Sequence, residues 1–363
     1  TIKSYGYSFI IIKLLCNFML QITRKNYYIS SFRFKNKRIR DHYMTKPKPG
    51  QWMHYNDCFE SFEDVTALQE VLESVKDKNG NSACFTFLMN PANPDFKAIE
   101  AANFKAYHYE RIDETFTKRK DGEQVLNWYH SALKDNLIEL GFHGREHLHV
   151  HSWMKALQEG DEIVIDGFNN RIWGQAKLFT KNKNLSYRST FNIQDDSELE
   201  HLKTNIEEGV NIIEDVFDNK VTYFLAPDSP FDLRLNQSLA DNGIKYIGLP
   251  KVHSNPLDHK WYQKKLFWLG KKTKEGLKVI TRNVMFEPSS PQSSDWVNFA
   301  LEQIELAFKY KNPAVISTHR ANYVNGLNPD NRPKALEQLS ILLKNITSKW
   351  PEVEFMTSSQ LGD

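Results

Sequence analysis

Hydrophobic positions along this chain follow two rhythms that alternate for most of its length. Residues 63–76 place Val65, Leu68, Val71, Leu72 and Val75 at helical spacing, and Asn79-Gly80 ends the run. Residues 83–89 are almost continuously apolar, the pattern of a strand buried on both faces. The spacing predicts a second helix over 123–140, with Val125, Trp128, Leu133 and Leu137 on one face. Ser197 followed by Glu200 reads as a capping box before a third helix marked by Leu202, Ile206, Val210, Ile213 and Phe217. Short apolar stretches at 221–225, 245–249, 277–281, 314–317 and 353–356 then alternate with helical patterns at 233–242, 295–310 and 333–350. Such alternation predicts a parallel sheet covered by helices, in one barrel-like or doubly wound α/β domain.

The first fifty residues break this order. Residues 7–22 are apolar but interrupted by Lys13, Asn17 and Gln21, short of the ~20 clean apolar residues of a membrane-spanning helix. The charge order suits a signal peptide, yet no small-residue cleavage site follows. A basic run comes next, with Arg33, Lys35, Lys37, Arg38, Arg40 and Lys46. The expectation is an irregular extension over 1–50, with peripheral membrane contact as an alternative use, ahead of a folded domain at 51–363. That favours a cytoplasmic or membrane-associated setting over secretion.

Composition narrows the classes. The 47 basic and 45 acidic residues nearly cancel, so no charge excess points to nucleic acid. Three cysteines, Cys16, Cys58 and Cys84, exclude a disulfide scaffold and a cysteine-rich zinc module. The chemistry concentrates instead in histidine, with His143, His147, His149 and His151 inside nine residues. On a helix, His143, His147 and His151 would share one face. Two imidazoles so placed can hold one divalent ion, with a carboxylate from elsewhere and a position left for water. The competing reading is a histidine-rich turn satisfied by neighbouring carbonyls. The H-E-x-x-H protease signature is absent, because Glu146 directly precedes the second histidine.

His143-Gly-Arg-Glu-His147 resembles the second motif of the polysaccharide deacetylase superfamily (carbohydrate esterase family 4), in which two histidines four apart bind metal. The order of further segments, at 85–96, Trp153, 282–288, 316–320 and 350–356, is similar to a bacterial polysaccharide (de)acetylase subgroup over residues 55–363. The resemblance implies a deformed (β/α) barrel with Zn²⁺ or a similar ion at the carboxyl ends of the strands. Asp57, His143 and His147 would be the ligands, and His319 the acid that protonates the leaving group. Asp228, in Phe224-Leu-Ala-Pro-Asp228, would line the substrate groove, with Arg145, Trp153 and Arg320 contacting an N- or O-acetylated glycan. Trp173, Phe231 and Trp261 are further candidates for sugar stacking or for plain core packing.

The chain departs from the family at its first motif, an Asp-Asp pair. Its nearest counterpart is Asn56-Asp57, where an amide stands in place of the proton-accepting carboxylate, with Glu60, Glu146 or Asp228 as substitutes. The implied function is a metal-dependent deacetylase with its first motif not intact. The alternative is a catalytically impaired homologue that binds glycan or metal. His149 and His151 are expected not to ligate.

Overall fold

Nine strands form one sheet in the computed structural model, which describes residues 9–15, 35, 52–173, 185–258 and 260–362. In chain order they are β1 (Phe9–Leu15), β2 (Phe85–Met89), β3 (Ile138–Phe142), β4 (Tyr223–Leu225), β5 (Tyr246–Gly248), β6 (Lys278–Ile280), β7 (Val284–Met285), β8 (Ala314–His319) and β9 (Glu354–Met356). Across the sheet they run β6-β5-β4-β3-β2-β1-β8-β7, with β9 beside residues 9–11 of β1. Every pairing is parallel. The main covering helices are α1 (Phe62–Glu73), α2 (Gly122–Lys134), α3 (Glu198–Phe217), α4 (Trp296–Lys309) and α5 (Asn331–Lys349). The expected α/β class with a parallel central sheet is therefore what the chain adopts.

The strands are mostly apolar because both sheet faces are covered; all five residues of β2 are buried. Each helix buries one stripe, such as Val65, Leu68 and Leu72 on α1 or Leu336, Leu339, Leu343 and Ile346 on α5. Two local expectations were off. The helix expected over 123–140 stops at Lys134, because Asn136 takes a left-handed φ of 56° and residues 138–142 are β3. Leu137 and Leu140 merely continue the helical count. The capping box is also elsewhere: Ser197 makes no capping bond and its hydroxyl binds Asp195, while Ser61 and Asp64 cap α1 reciprocally.

The sheet curls strongly, and simple lengths show it. Laid flat, eight strands in sequence would put the outer two roughly 33 Å apart at ~4.8 Å per gap. The edge strands β6 and β7 are joined by Thr281, Arg282 and Asn283 alone, which can span at most about 14 Å. No pairing among the described residues closes the gap, so the barrel stays split there. Asn283 stitches one lip: its Oδ1 accepts from Val315 N at 2.7 Å and its Nδ2 donates to Pro313 O at 2.9 Å.

The N-terminal segment corrects another expectation. Residues 1–50 read as an extension outside the domain, yet β1 lies inside the sheet. Its residues 10–15 pair with β8, and residues 12–14 pair with β2. The helical membrane-anchor reading of 7–22 fails for Phe9–Leu15, which are extended; the remaining residues of that stretch and the basic run, Lys35 apart, lie outside the described residues. No helix among the described residues is long and apolar enough to cross a membrane. If β1 is a central strand, Ile12→Pro removes a ladder donor from a strand paired on both edges. It should destabilise the fold by about 3 kcal/mol or more. Thermal melting followed by circular dichroism checks this, since an outlying extension would leave the midpoint unmoved.

Candidate active site

The histidine segment is a loop, not a helix. β3 ends at Phe142, residues 143–149 turn irregularly, and the next helix (Val150–Gln158) begins only after His149, whose Nδ1 caps it by accepting from Ser152 N. The shared face expected for His143, His147 and His151 therefore does not exist. His143 and His147 meet all the same, because the loop folds back. Gly144 between them has φ of 92°, a backbone that strongly favours glycine. Buried amides pin the turn: Asn90 Nδ2 donates to the carbonyls of His143 and Gly144 at 2.6 and 2.8 Å, and Asn205 Oδ1 accepts from Arg145 N at 3.1 Å.

The two rings pack edge to face with centroids 5.3 Å apart, and both are buried. His143 Nδ1 lies 2.5 Å from Leu225 O; a carbonyl only accepts, so Nδ1 carries the proton and Nε2 keeps a lone pair. Among the described residues neither ring nitrogen of His147 makes a well-formed hydrogen bond. Burial, then the neighbouring His147, holds His143 well below the usual imidazole range, and burial brings His147 down to about 4. Asp228 follows β4 in a left-handed turn with φ of 53°. Its carboxylate accepts from Ser189 Oγ at 3.1 Å and Ser186 Oγ at 3.3 Å, with Arg188 Nε 3.9 Å away. Burial works to raise the Asp228 pKa, but Arg188 and His147 outweigh it and hold the group ionised.

His143, Asp228 and His319 line one groove of about 630 Å³, together with Arg282, Glu287 and Ser317. All six lie at or just beyond the carboxyl ends of parallel strands, where α/β folds gather their sites. His319 Nδ1 sits 2.5 Å from Glu287 Oε1, and Asn322 Nδ2 donates to Glu287 Oε2 at 2.8 Å. Glu287 thus fixes the ring and leaves Nε2 as its disengaged nitrogen. Sequence reasoning assigned Glu287 no role, although it lies in the segment 282–288 singled out for the resemblance. Its signal was an acid directly after a short apolar run.

Other expected site residues are occupied elsewhere. Asp57 is buried and its Oδ1 accepts from Arg320 Nη2 at 2.9 Å and Nε at 3.1 Å. Arg320 Nη1 donates to Glu60 Oε2 at 3.1 Å. Arg320 is therefore a buried ion-pair partner and not a substrate contact. Arg145 is likewise buried, bonded to Glu146 at 2.7 Å, paired with Glu208 and stacked over Tyr109 at 4.3 Å. Trp153 packs inside an apolar cluster against Phe96 and Phe168, out of reach of a glycan. Trp173 and Phe231 are core as well, and the Trp261 side chain lies outside the described residues. His149 Nε2 bonds Asn192 O at 3.0 Å, and His151 projects largely into solvent.

The residues present fit a metal only halfway. Two adjacent imidazoles with lone pairs to offer suit zinc, but among the described residues no three His, Cys, Asp or Glu side chains converge to hold an ion. Asp57 is paired with Arg320. Residues 1–40 contain no carboxylate. No step is derived through a metal here.

Two outcomes follow. In metal-free protein the buried imidazoles stay neutral, while the unfolded chain protonates them below about pH 6.5. Their folded values are depressed, so stability is fully present above that pH. It falls as pH drops toward about 4, by up to ~1.4 kcal/mol per pH unit for each ring. Denaturant midpoints across that range, with a chelator present, should show a slope that His147→Asn reduces; an equal slope in the variant contradicts it. Second, Asn56→Asp should lower the melting temperature without raising acetate release. It adds a buried acid beside Asp57 and Glu60, which already share Arg320.

No protein-family model matches the sequence, and comparison with curated proteins gives no match. Among solved structures, the chain is similar to a probable polysaccharide deacetylase of Pseudomonas aeruginosa PAO1 at 8% identity, covering 99% of this chain and 90% of that one with a TM-score of 0.48. It is similar to PuuE allantoinase at 7% identity, with the same coverages and TM-score. A CE4-family pseudoenzyme of Bacillus anthracis aligns at 11% identity over 84% of this chain and 62% of its own, with a TM-score of 0.36. At those values the functional reading rests on the site itself.

Proposed function

We propose that this chain is a deacetylase-type glycan-binding protein that retains the substrate groove and hydrolyses acetyl groups weakly or not at all. The observation that carries this reading is the Asp57–Arg320 ion pair, which leaves His143 and His147 without the acid that would complete a metal site. The groove at the strand ends, the paired imidazoles and the His319–Glu287 dyad support the deacetylase lineage. In that lineage His319, oriented by Glu287, is the group that would protonate a leaving amine or alcohol. What is lacking is a carboxylate to activate water, a contribution typically worth ~10²–10⁴-fold. Glu60 and Glu146 do not supply it, since each is buried and bonded to an arginine.

A second reading keeps the enzyme active with a divalent metal such as zinc, Asp228 replacing the missing acid. It is favoured by the ionised state of Asp228 in the electrostatic reach of both imidazoles. Elemental analysis and acetate release from an acetylated oligosaccharide, measured together with calorimetric binding, separate the two. The first reading expects glycan binding, substoichiometric zinc and acetate release near the uncatalysed rate. Stoichiometric zinc with acetate release that disappears in His143→Ala and in Asp228→Asn overturns it.

A further inference from the structure

The ionisable groups lining the groove are six, and four are already committed. Asp228 is bonded by two serine hydroxyls with Arg188 3.9 Å away, and Glu287 is bonded by His319 and Asn322. His143 is neutral and bonded to Leu225 O. That leaves Arg282 and Lys251. Among the described residues neither pairs with a carboxylate, so two cations border the groove with their charge uncommitted.

Arg282 is also held in place. It belongs to the three-residue link across the split in the barrel, next to Asn283, whose backbone and side chain are stitched to the start of β8. Its Nη1 donates to Ser317 Oγ at 3.1 Å, and Ser317 is buried in β8 two residues before His319. One of five guanidinium N–H donors is thereby used, and the exposed remainder borders the groove. A planar fork anchored on one side and open on the other suits two parallel hydrogen bonds to a carboxylate.

Building on the glycan reading above, we propose that Arg282, with Lys251 on the rim, selects an acidic glycan by binding a uronic acid carboxylate in the groove. The acetylated sugar would then lie toward His143 and His319, and the charged sugar at the split between β6 and β7. Arg282 is a specificity-determining residue in this scheme and takes no part in bond cleavage.

Calorimetry on the full chain with a partly acetylated oligogalacturonide and its methyl ester tests this, because the ester keeps the sugars and acetyl groups but loses the charge. The acid should bind about tenfold more tightly than the ester, a modest value for a charge-assisted pair. Arg282→Gln should bring the ratio close to one. Arg282→Lys should keep part of it, since the charge survives without the fork. Equal affinities in the parent, or an unchanged ratio in Arg282→Gln, overturn the acid preference and leave the glycan reading standing. Binding of neither ligand overturns the glycan reading, and the role of Arg282 with it. Circular dichroism of the variants confirms that they fold, which the exposure of Arg282 leads one to expect.

Discussion

Arg320 stands between two buried carboxylates, Asp57 and Glu60, and joins the segment ahead of α1 to the end of β8. Glu60 is tied further by the Tyr129 hydroxyl at 2.7 Å, and its carbonyl accepts from Arg119 at 2.6 Å. Removing one partner from such a buried group typically costs 3–5 kcal/mol, because the other charge is stranded. Burial pushes Asp57 up to about 6 even against Arg320, so the cluster is already short of positive charge. Much of the site depends on this knot. It fixes the chain directly after His319, and it commits Asp57 to Arg320.

The histidine pair shows how two residues can meet by a geometry other than the one their spacing suggests. Spacing of four suggested one face of a helix, and the residues do meet, but through a turn made by Gly144 and fastened by Asn90 and Asn205. Those amides lie 53 and 60 positions away from the residues they hold, so no local pattern could reveal them. Arg145 and Arg320 were misjudged for a related reason. An arginine beside a motif reads as a ligand-binding group, and only tertiary contact shows that Glu146, Glu208, Asp57 and Glu60 consume it. The strands and helices were far more legible, since their burial is periodic along the chain itself.

β1 was lost to a different ambiguity. A seven-residue apolar run satisfies both a buried strand and part of an amphipathic or anchoring helix, and periodicity alone does not separate them. Reading Phe9–Leu15 together with the interrupted apolar residues that follow favoured an irregular extension, with an anchoring helix as the alternative. The pairing with β2 and β8 decides otherwise, and it sharpens the functional question. No acid occurs in β1 itself, nor anywhere in residues 1–40.

The consequence falls on His147. A buried imidazole with both nitrogens unpaired forfeits about 1–3 kcal/mol relative to one that is hydrogen-bonded. His143 avoids that cost through Leu225, while His147 bears it with Asp228 near enough to act on it electrostatically but not bonded to it. A ligand that offers His147 a donor or an empty orbital recovers the deficit on binding, whether it is a metal ion or a polar group of a sugar. The backbone ahead of His147 is held by Asn90 at Gly144 O and by Asn205 at Arg145 N. An unmet bond that the surrounding structure enforces is a binding determinant. On the proposed reading such a determinant does not depend on a catalytic acid, so ligand recognition and hydrolysis are separable.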